Sequence, residues 1–181
     1  MIILVGASAS GKTEVAKLLG SVYGIKKVIT HTTRNMRVSE INDKDYHFVT
    51  KEQFEKMLRE DAFVETTFYN ENYYGSSKKE IADDKVLIVD ANGLKAYTAL
   101  NNPRIVTFFL KANENTRFDR MLVRGDALET AQSRIQNDRV EFADENLCKV
   151  DYLIDSEHMS LLDMAKEVYS IYTNHLKNLS K

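Results

Sequence analysis

The 181-residue sequence is poor in the residues that mark several specialised classes of protein. It has one cysteine, one proline, seven glycines and no tryptophan. The single cysteine, Cys148, cannot close a disulfide within the chain, and no Cys/His cluster has the spacing of zinc ligands. These absences exclude a disulfide framework and a zinc-finger module. They predict a protein of a reducing compartment, the cytoplasm.

Charge and hydrophobicity give no sign of a nucleic-acid surface or a membrane segment. Lys and Arg number 25 against 27 Asp and Glu, a formal net charge of −2, so there is no basic excess. The apolar start Met1–Val5 is too short for a signal-peptide core, and no later run reaches the roughly 18 apolar residues of a membrane span. We predict one domain, residues 1–181, with no nucleic-acid or membrane partner.

Short apolar runs alternate with segments of helical spacing along most of the chain. The predicted strands are Ile2–Val5, Val86–Val89, Ile105–Leu110 and Tyr152–Ile154, and the predicted helices are Lys12–Leu19, Asn113–Val123 and Ser160–Leu179. Asn113 and Ser160 are the residue types that cap helix N-termini. Alternation of strand and helix predicts an α/β fold with a parallel sheet covered by helices.

The segment from Thr30 to about Lys85 breaks this alternation. It is rich in polar, aromatic and β-branched residues. Its predicted elements are strands at Tyr46–Thr50 and Phe63–Tyr69 and a helix at Lys51–Glu60. Thr50 and Gln53 have the spacing of a capping box at the start of that helix. We interpret the segment as an antiparallel insertion, a second lobe of the same enzyme.

A glycine-rich motif of the form G-x-x-x-x-G-K-[ST] lies between the first predicted strand and the first predicted helix. It consists of Gly6, Ala7, Ser8, Ala9, Ser10, Gly11, Lys12 and Thr13. In this context, backbone N–H groups and a helix N-terminus wrap phosphate oxygens. Lys12 is expected to reach the β- and γ-phosphates and Thr13 to place its hydroxyl on Mg²⁺. The motif predicts ATP as co-substrate, with Mg²⁺ held by Thr13.

Two further features have both a functional and an ordinary explanation. Asp90 follows the strand Val86–Val89, where a carboxylate can orient Mg²⁺ or contact a substrate, or can merely cap a turn. Arg34 and Arg37 lie three residues apart beside several hydroxyls, and such a pair can bind a phosphate bidentately or remain a solvated surface.

A longer pattern favours the functional explanation. The run T-T-R-x-x-R-x-x-E-x-x-x-x-D-Y-x-F, then F-V-E and N-Y-Y-G-S, resembles the guanylate kinase family in order and spacing, from Ile3 to about Ile154. The resemblance implies a three-layer P-loop NTPase core (1–29, 86–119 and 145–181). It also implies an inserted antiparallel monophosphate-binding lobe at about 30–85 and a helical lid at about 120–144.

The resemblance also implies an acceptor site for GMP. Glu65 would accept hydrogen bonds from N1–H and the N2 amino group of guanine, and Ser76 would contact the base near O6. The implied GMP-binding residues are Thr30, Arg34, Arg37, Tyr46, Glu65, Tyr74, Ser76 and Asp90. A pocket can reject other bases when those bases leave its hydrogen-bonding side chains unpaired.

The lid implied by the resemblance carries arginines that close over the phosphates. Arg124 and Arg134 match the lid arginines, so the implied catalytic set is Lys12, Arg124 and Arg134. Arg120 and Arg139 either join them or lie on a solvated helix. An acceptor phosphate is already ionised at pH 7, so no catalytic base is needed, and positioning with charge neutralisation performs the catalysis.

Some positions depart from the family pattern. Ala9, Ser39 and Asp43 replace common glycines, and Ile88 replaces an acidic residue two positions before Asp90. If position 9 needs a positive φ, alanine there costs on the order of 1 kcal/mol. Asp155 and Ser156 stand where an asparagine often helps to hold adenine, which leaves the adenine contact unassigned.

The leading functional hypothesis is guanylate kinase, ATP + GMP ⇌ ADP + GDP, in purine nucleotide metabolism. One alternative is a related P-loop kinase with another small phosphorylated acceptor. The other is a non-catalytic guanylate-kinase-like binding module, against which the intact Lys12 and Thr13 argue. Monomeric and homo-oligomeric states both stay open.

Overall fold

The computed structural model describes residues 1–38, 40–69, 71–143 and 145–180. The strands are β1 (Ile2–Val5), β2 (Lys26–Lys27), β3 (His31–Thr32), β4 (His47–Phe48), β5 (Phe63–Tyr69), β6 (Asn72–Ser77), β7 (Lys85–Ile88), β8 (Val106–Lys111) and β9 (Tyr152–Asp155). The helices are α1 (Lys12–Tyr23), α2 (Lys51–Arg59), α3 (Ala91–Ala99), α4 (Glu114–Val123), α5 (Leu128–Glu141) and α6 (Leu161–Leu179), with a 3₁₀ turn at Lys78–Glu80. Two compact units result, Met1–Lys27 with Val86–Lys181, and Val28–Lys85.

The larger unit is built on a five-stranded sheet in the order β2-β7-β1-β8-β9. Strand β1 pairs in parallel with both β7 and β8, and β8 pairs in parallel with β9. All four residues of β1 are buried, as expected for a central parallel strand with both faces covered. The predicted α/β class with a parallel sheet is confirmed, and the four predicted strands end within one residue of their expected limits.

Helices α4 and α6 begin at the predicted capping residues. The side chain of Asn113 accepts a hydrogen bond from Thr116 N–H (2.8 Å), and that of Ser160 accepts one from Asp163 N–H (3.1 Å), both as predicted. Helix α1 runs past the predicted Leu19 and stops at Gly24, whose left-handed backbone (φ 73°) closes the last turn. None of the helices in the described part of the chain is both long and apolar enough to cross a membrane.

The smaller unit contains a four-stranded sheet in the order β4-β3-β6-β5. The pairs β5–β6 and β3–β6 are antiparallel, but β3 and β4 pair in parallel, so the expectation of a purely antiparallel lobe was wrong at this edge. The connection from Thr32 to His47 is long enough for a parallel return. The predicted strand Tyr46–Thr50 is shorter than expected because Thr50 instead caps α2, in the predicted capping box with Gln53.

Candidate active site

The glycine-rich motif forms a loop that joins β1 to α1 in the larger unit. Gly6 (φ 146°) lies so close to β8 that a Cβ there would meet the carbonyl oxygen of Leu110 at 2.6 Å. A side chain at this position would therefore push the loop off the sheet. Ala9 adopts φ 60°, the left-handed conformation that favours glycine, so the predicted strain at this position is present. Asp43 likewise has φ 62°, whereas Ser39 lies outside the described residues.

Lys12 folds back over this loop. Its ammonium group donates hydrogen bonds to the carbonyl oxygens of Gly6 (2.5 Å) and Ala7 (2.8 Å). Burial lowers the pKa of Lys12 to about 8, although the carboxylates of Asp138 and Glu141 partly oppose that shift. A desolvated cation thus lies at the loop where phosphate oxygens are expected, and an arriving anion would favour its charged form.

A cavity of about 370 Å³ adjoins the loop. It is lined by Ala9, Ser10, Gly11, Lys12, Thr13, Glu14, Arg120, Arg124, Met159, Leu161 and Met164. Met159, Leu161 and Met164 give this lining an apolar part, and Arg120 and Arg124 contribute two cationic side chains. Thr13 is exposed in the first turn of α1, where its hydroxyl can reach a metal ion or a phosphate.

Ser156, one of the two residues at the unassigned adenine position, is fully buried beside this cavity. Its hydroxyl donates to the carbonyl oxygen of Ser10 (2.6 Å) and accepts from Arg120 Nη1 (3.0 Å). Arg120 Nη2 also donates to the carbonyl oxygen of Ser156 (2.5 Å). Ser156 therefore joins the phosphate loop to Arg120, and its hydroxyl is already occupied within the protein.

The two arginines assigned to the lid share one carboxylate. Arg124 binds Asp126 through Nη2 (2.5 Å) and Nε (3.1 Å), and Arg134 Nη1 lies 4.0 Å from the same carboxylate. The hydrogen bond from Arg124 holds the pKa of Asp126 below its usual value. The side chains of Arg124 and Arg134 remain about half exposed, at 53% and 48%. Arg139, by contrast, forms an exposed bidentate pair with Glu114.

The loop is also held by two buried charges that the sequence gave no reason to single out. Asp138 accepts hydrogen bonds from the backbone N–H and the hydroxyl of Ser8, and Arg117 pairs with Asp138 at 2.5 Å. Asp90, which was expected to face a metal or substrate, caps α3 by accepting from Gly93 N–H (2.7 Å). Its contact with GMP or Mg²⁺ stays a prediction.

In the smaller unit, Arg34 lies at the centre of a charged and aromatic cluster. It forms a bidentate pair with Glu40 (2.7 and 3.1 Å) and lies 5.6 Å from the ring centre of Tyr46. Hydrogen bonding to Glu40 raises the pKa of Arg34, and Tyr74 adds to the effect. Glu40 also accepts from the backbone N–H of Arg37 (2.8 Å). Glu40 belongs to the run T-T-R-x-x-R-x-x-E, but no role was predicted for it from the sequence.

Tyr46 and Tyr74 lie together, with ring centres 6.1 Å apart. Arg34, Tyr46 and Tyr74, which the family resemblance assigned together to the GMP site, lie in one group. Arg37 is exposed beside it, and Thr30 precedes β3, where its carbonyl oxygen accepts from His47 N–H (2.9 Å).

Glu65 and Ser76, the predicted base-reading residues, are direct partners across β5 and β6. The buried Ser76 hydroxyl donates to Glu65 Oε1 at 2.6 Å. Gly75, between Tyr74 and Ser76, has no room for a side chain, because a Cβ there would come within 2.8 Å of the Phe63 ring. The hairpin thus presents a carboxylate and a hydroxyl as a coupled pair.

Known proteins resemble this chain in sequence. A sequence model described as guanylate kinase matches residues 1–172. A guanylate kinase of Neisseria gonorrhoeae is 32% identical over 149 residues, which cover 78% of this chain and 73% of the relative. One from Fusobacterium nucleatum is 30% identical over 185 residues, with 98% and 97% covered.

Solved structures share the fold. A crystal structure of guanylate kinase from Anaplasma phagocytophilum has a TM-score of 0.64 at 19% identity, covering 96% of this chain and 85% of that one. A gluconokinase from Sinorhizobium meliloti has a TM-score of 0.56 at 15% identity, with 99% and 94% covered. At these identities the structural likeness describes the fold, while the sequence matches extend over nearly the whole chain. The chain is therefore a member of the guanylate kinase family.

Proposed function

We propose that this protein transfers the γ-phosphoryl group of ATP to GMP, giving ADP and GDP in purine nucleotide metabolism. The observation that carries the proposal is the coupled pair Glu65–Ser76 on the same small sheet as the Arg34 cluster, in a chain with a complete phosphate loop. We assign the acceptor lobe to about residues 30–85, the lid to about 120–144 and the donor core to the rest of the chain.

On the donor side, loop N–H groups and Lys12 bind the phosphates of ATP. Among the described residues, no group of three or more His, Cys, Asp or Glu could hold a metal ion. Mg²⁺ does not need such a group, because in kinases it is held largely by substrate phosphates and water. Thr13 would supply the protein oxygen. When bound, Mg²⁺ neutralises charge on the phosphate oxygens.

On the acceptor side, Arg34, Arg37, Tyr46 and Tyr74 hold the phosphate of GMP. That phosphate is ionised at pH 7 and needs no base to become a nucleophile, so positioning is the main requirement. Arg124 and Arg134 would exchange Asp126 for the transferring phosphoryl group and stabilise the charge on its oxygens.

Base selection follows from donor and acceptor chemistry. Guanine presents two adjacent donors, N1–H and the N2 amino group, and the carboxylate of Glu65 accepts from both. In the free protein Ser76 orients that carboxylate by donating its hydroxyl hydrogen to it at 2.6 Å. Guanine O6 is an acceptor, so contact with it would require the hydroxyl to turn that hydrogen from Glu65 to the base. Adenine lacks the paired donors, so it would leave the carboxylate unsatisfied.

The test is ADP formation from ATP and Mg²⁺ with GMP, dGMP, AMP, CMP or UMP as acceptor. We expect kcat/KM for the guanine nucleotides to exceed that for the others by about 10²-fold or more. Preference for a different base would favour a related kinase with another acceptor. A folded protein with no turnover on any acceptor would favour a binding module. We infer a cytoplasmic location from the proposed substrates and from the single cysteine, Cys148, which cannot form a disulfide within the chain.

A further inference from the structure

We propose that Arg117 and Asp138 form a positioning pair that holds the phosphate-binding loop in its ATP-binding conformation. The pair comes from two helices, α4 and α5, and acts on Ser8. The kinetic effect of this pair rests on the proposed function. Its effect on ATP binding can be measured without turnover.

The contacts engage every polar group of Ser8. Its N–H donates to Asp138 Oδ2 at 3.0 Å, and its hydroxyl donates to Asp138 Oδ1 at 3.1 Å. Its carbonyl oxygen accepts from Arg117 Nη1 at 3.4 Å, and the same nitrogen donates to Asp138 Oδ2 at 2.5 Å. Two charged side chains, from positions more than 100 residues away, thus bind one residue of the loop at both its N–H and its carbonyl oxygen.

The position of the pair makes its charge balance important. The side chains of Arg117 and Asp138 are only 6% and 7% exposed, and Met121, Ala131 and Ile135 form the apolar cluster between the same helices. Asp138 alone would place an uncompensated negative charge 3.0 Å from a loop that binds polyphosphate. Arg117 cancels that charge, so Ser8 can be held by a carboxylate without repelling ATP.

Ser8 adjoins the strained part of the loop. Ala9 adopts φ 60°, and its carbonyl oxygen accepts from Arg120 Nη1 at 3.3 Å. A left-handed alanine persists only where its surroundings hold it. The contacts at Ser8 supply that restraint from one side and Arg120 from the other. Without the pair, we expect the loop to relax and its phosphate-facing N–H groups to lose their alignment.

The same helix links the loop to the lid. Arg134 precedes Asp138 by four residues on α5, about one helical turn. The pair therefore fixes the loop to the helix that carries a proposed catalytic arginine. Loss of the pair should lower kcat as well as raise the KM for ATP, because both the donor phosphates and Arg134 would shift.

The experiment compares Asp138→Asn, Arg117→Met and the double variant Arg117→Met/Asp138→Leu with the wild type. Each single change leaves a buried charge unpaired, so its melting temperature should fall. The double variant removes both charges, together with the Arg117 Nε–H that has no hydrogen-bond partner among the described residues, so its stability should return towards that of the wild type. In the double variant, Ser8 still lacks its hydrogen bonds to Arg117 and Asp138. We therefore expect kcat/KM for ATP to stay about 10²-fold below that of the wild type, while the KM for GMP does not change.

A matched control exists on the same two helices. Glu114 on α4 and Arg139 on α5 form a bidentate pair (2.6 and 2.8 Å) that is exposed and bonded to no loop residue in the described chain. The variant Glu114→Gln/Arg139→Met should leave both KM values and kcat unchanged. If the stable double variant of Arg117 and Asp138 behaves like this control, the pair is merely structural and the proposal is wrong.

Calorimetry with ATP separates this inference from the proposed function. If the wild type binds ATP but transfers no phosphoryl group to any acceptor, the proposed function is wrong. The positioning role of Arg117 and Asp138 can still be tested by the affinity for ATP. Weaker ATP binding in the double variant, at wild-type stability, then supports the positioning role. Equal ATP binding in the two proteins overturns it.

Discussion

The donor and acceptor sides hold their charged groups in different ways. On the donor side, Lys12 and Arg120 donate to backbone carbonyl oxygens, and buried Asp138 accepts from a backbone N–H. On the acceptor side, the principal contacts join side chains, namely Arg34 to Glu40 and Ser76 to Glu65. Backbone groups are the same at every residue, so they suit the triphosphate, which all nucleoside triphosphates share. Side chains can be exchanged one at a time, so the acceptor side is where selectivity can change.

The largest effect expected from this contrast is at Lys12. Lys12→Ala should lower kcat/KM by about 10³-fold, because the cation that contacts the transferring phosphoryl group is lost. The fold should be retained, because the change also removes a desolvated charge. Steady-state kinetics with circular dichroism would measure both. Lys17→Ala, an exposed change on the same helix, is the control. A Lys12→Ala enzyme within tenfold of wild type would contradict the donor assignment.

The next largest effect should separate the two sides. Glu65→Gln replaces one acceptor oxygen by an amino group that faces the donors of guanine, so the KM for GMP should rise by about 10²-fold. The KM for ATP should not change. Glu55→Gln, on the exposed surface of α2 in the same unit, serves as the control. Equal increases in the two KM values would show that Glu65 supports the fold rather than reads the base.

A smaller effect depends on pH. The pKa of Lys12 is about 8 in the free protein, because burial lowers it from the 10.5 usual for an exposed lysine. ATP favours the protonated form, so its Kd should rise by about fivefold between pH 8 and pH 9. Since the unfolded chain binds more protons between these two pKa values, the stability of the free protein should increase with pH over that window. Calorimetry at several pH values would measure the Kd, and in Lys12→Met this dependence should be absent.

The smallest effect should be at Ala9. Glycine removes the cost of φ 60° at this position, but it also increases the entropy of the unfolded chain, so Ala9→Gly should stabilise the protein by less than about 1 kcal/mol. Chemical denaturation would measure the difference. The same change at Ala96, inside α3, should destabilise by about 1 kcal/mol instead. A loss of stability in Ala9→Gly would mean that the loop does not strain its alanine.

Features that depend on neighbouring residues could be predicted from the sequence. The caps Asn113, Ser160 and Thr50 lie three residues from their partners, and the glycine-rich loop is defined by eight consecutive residues. Long-range contacts could not be predicted in this way. Ser8 and Asp138 are 130 positions apart, and no local pattern relates a residue of α5 to the loop.

Other differences arise where a polar residue has several possible partners. Asp90 caps a helix, and Glu40 binds two parts of the arginine motif. The parallel pairing of β3 with β4 involves two-residue strands, too short to leave an alternating pattern. The sequence contained these residues, but the partner of each depends on the folded chain. Glu40 could have been found by asking what neutralises Arg34 when no ligand is bound.

The carboxylate of Asp126, shared by Arg124 and Arg134, affects the free energy with which these arginines would bind a phosphate. Because Asp126 is hydrogen-bonded to Arg124 and lies 4.0 Å from Arg134, we expect an arriving phosphate to replace one anion by another at these arginines. The free energy gained is a difference between two ion pairs, and it is smaller than the full attraction of phosphate for arginine. When product leaves, Asp126 is available to take the arginines back, so the exchange that admits the substrate also favours its departure.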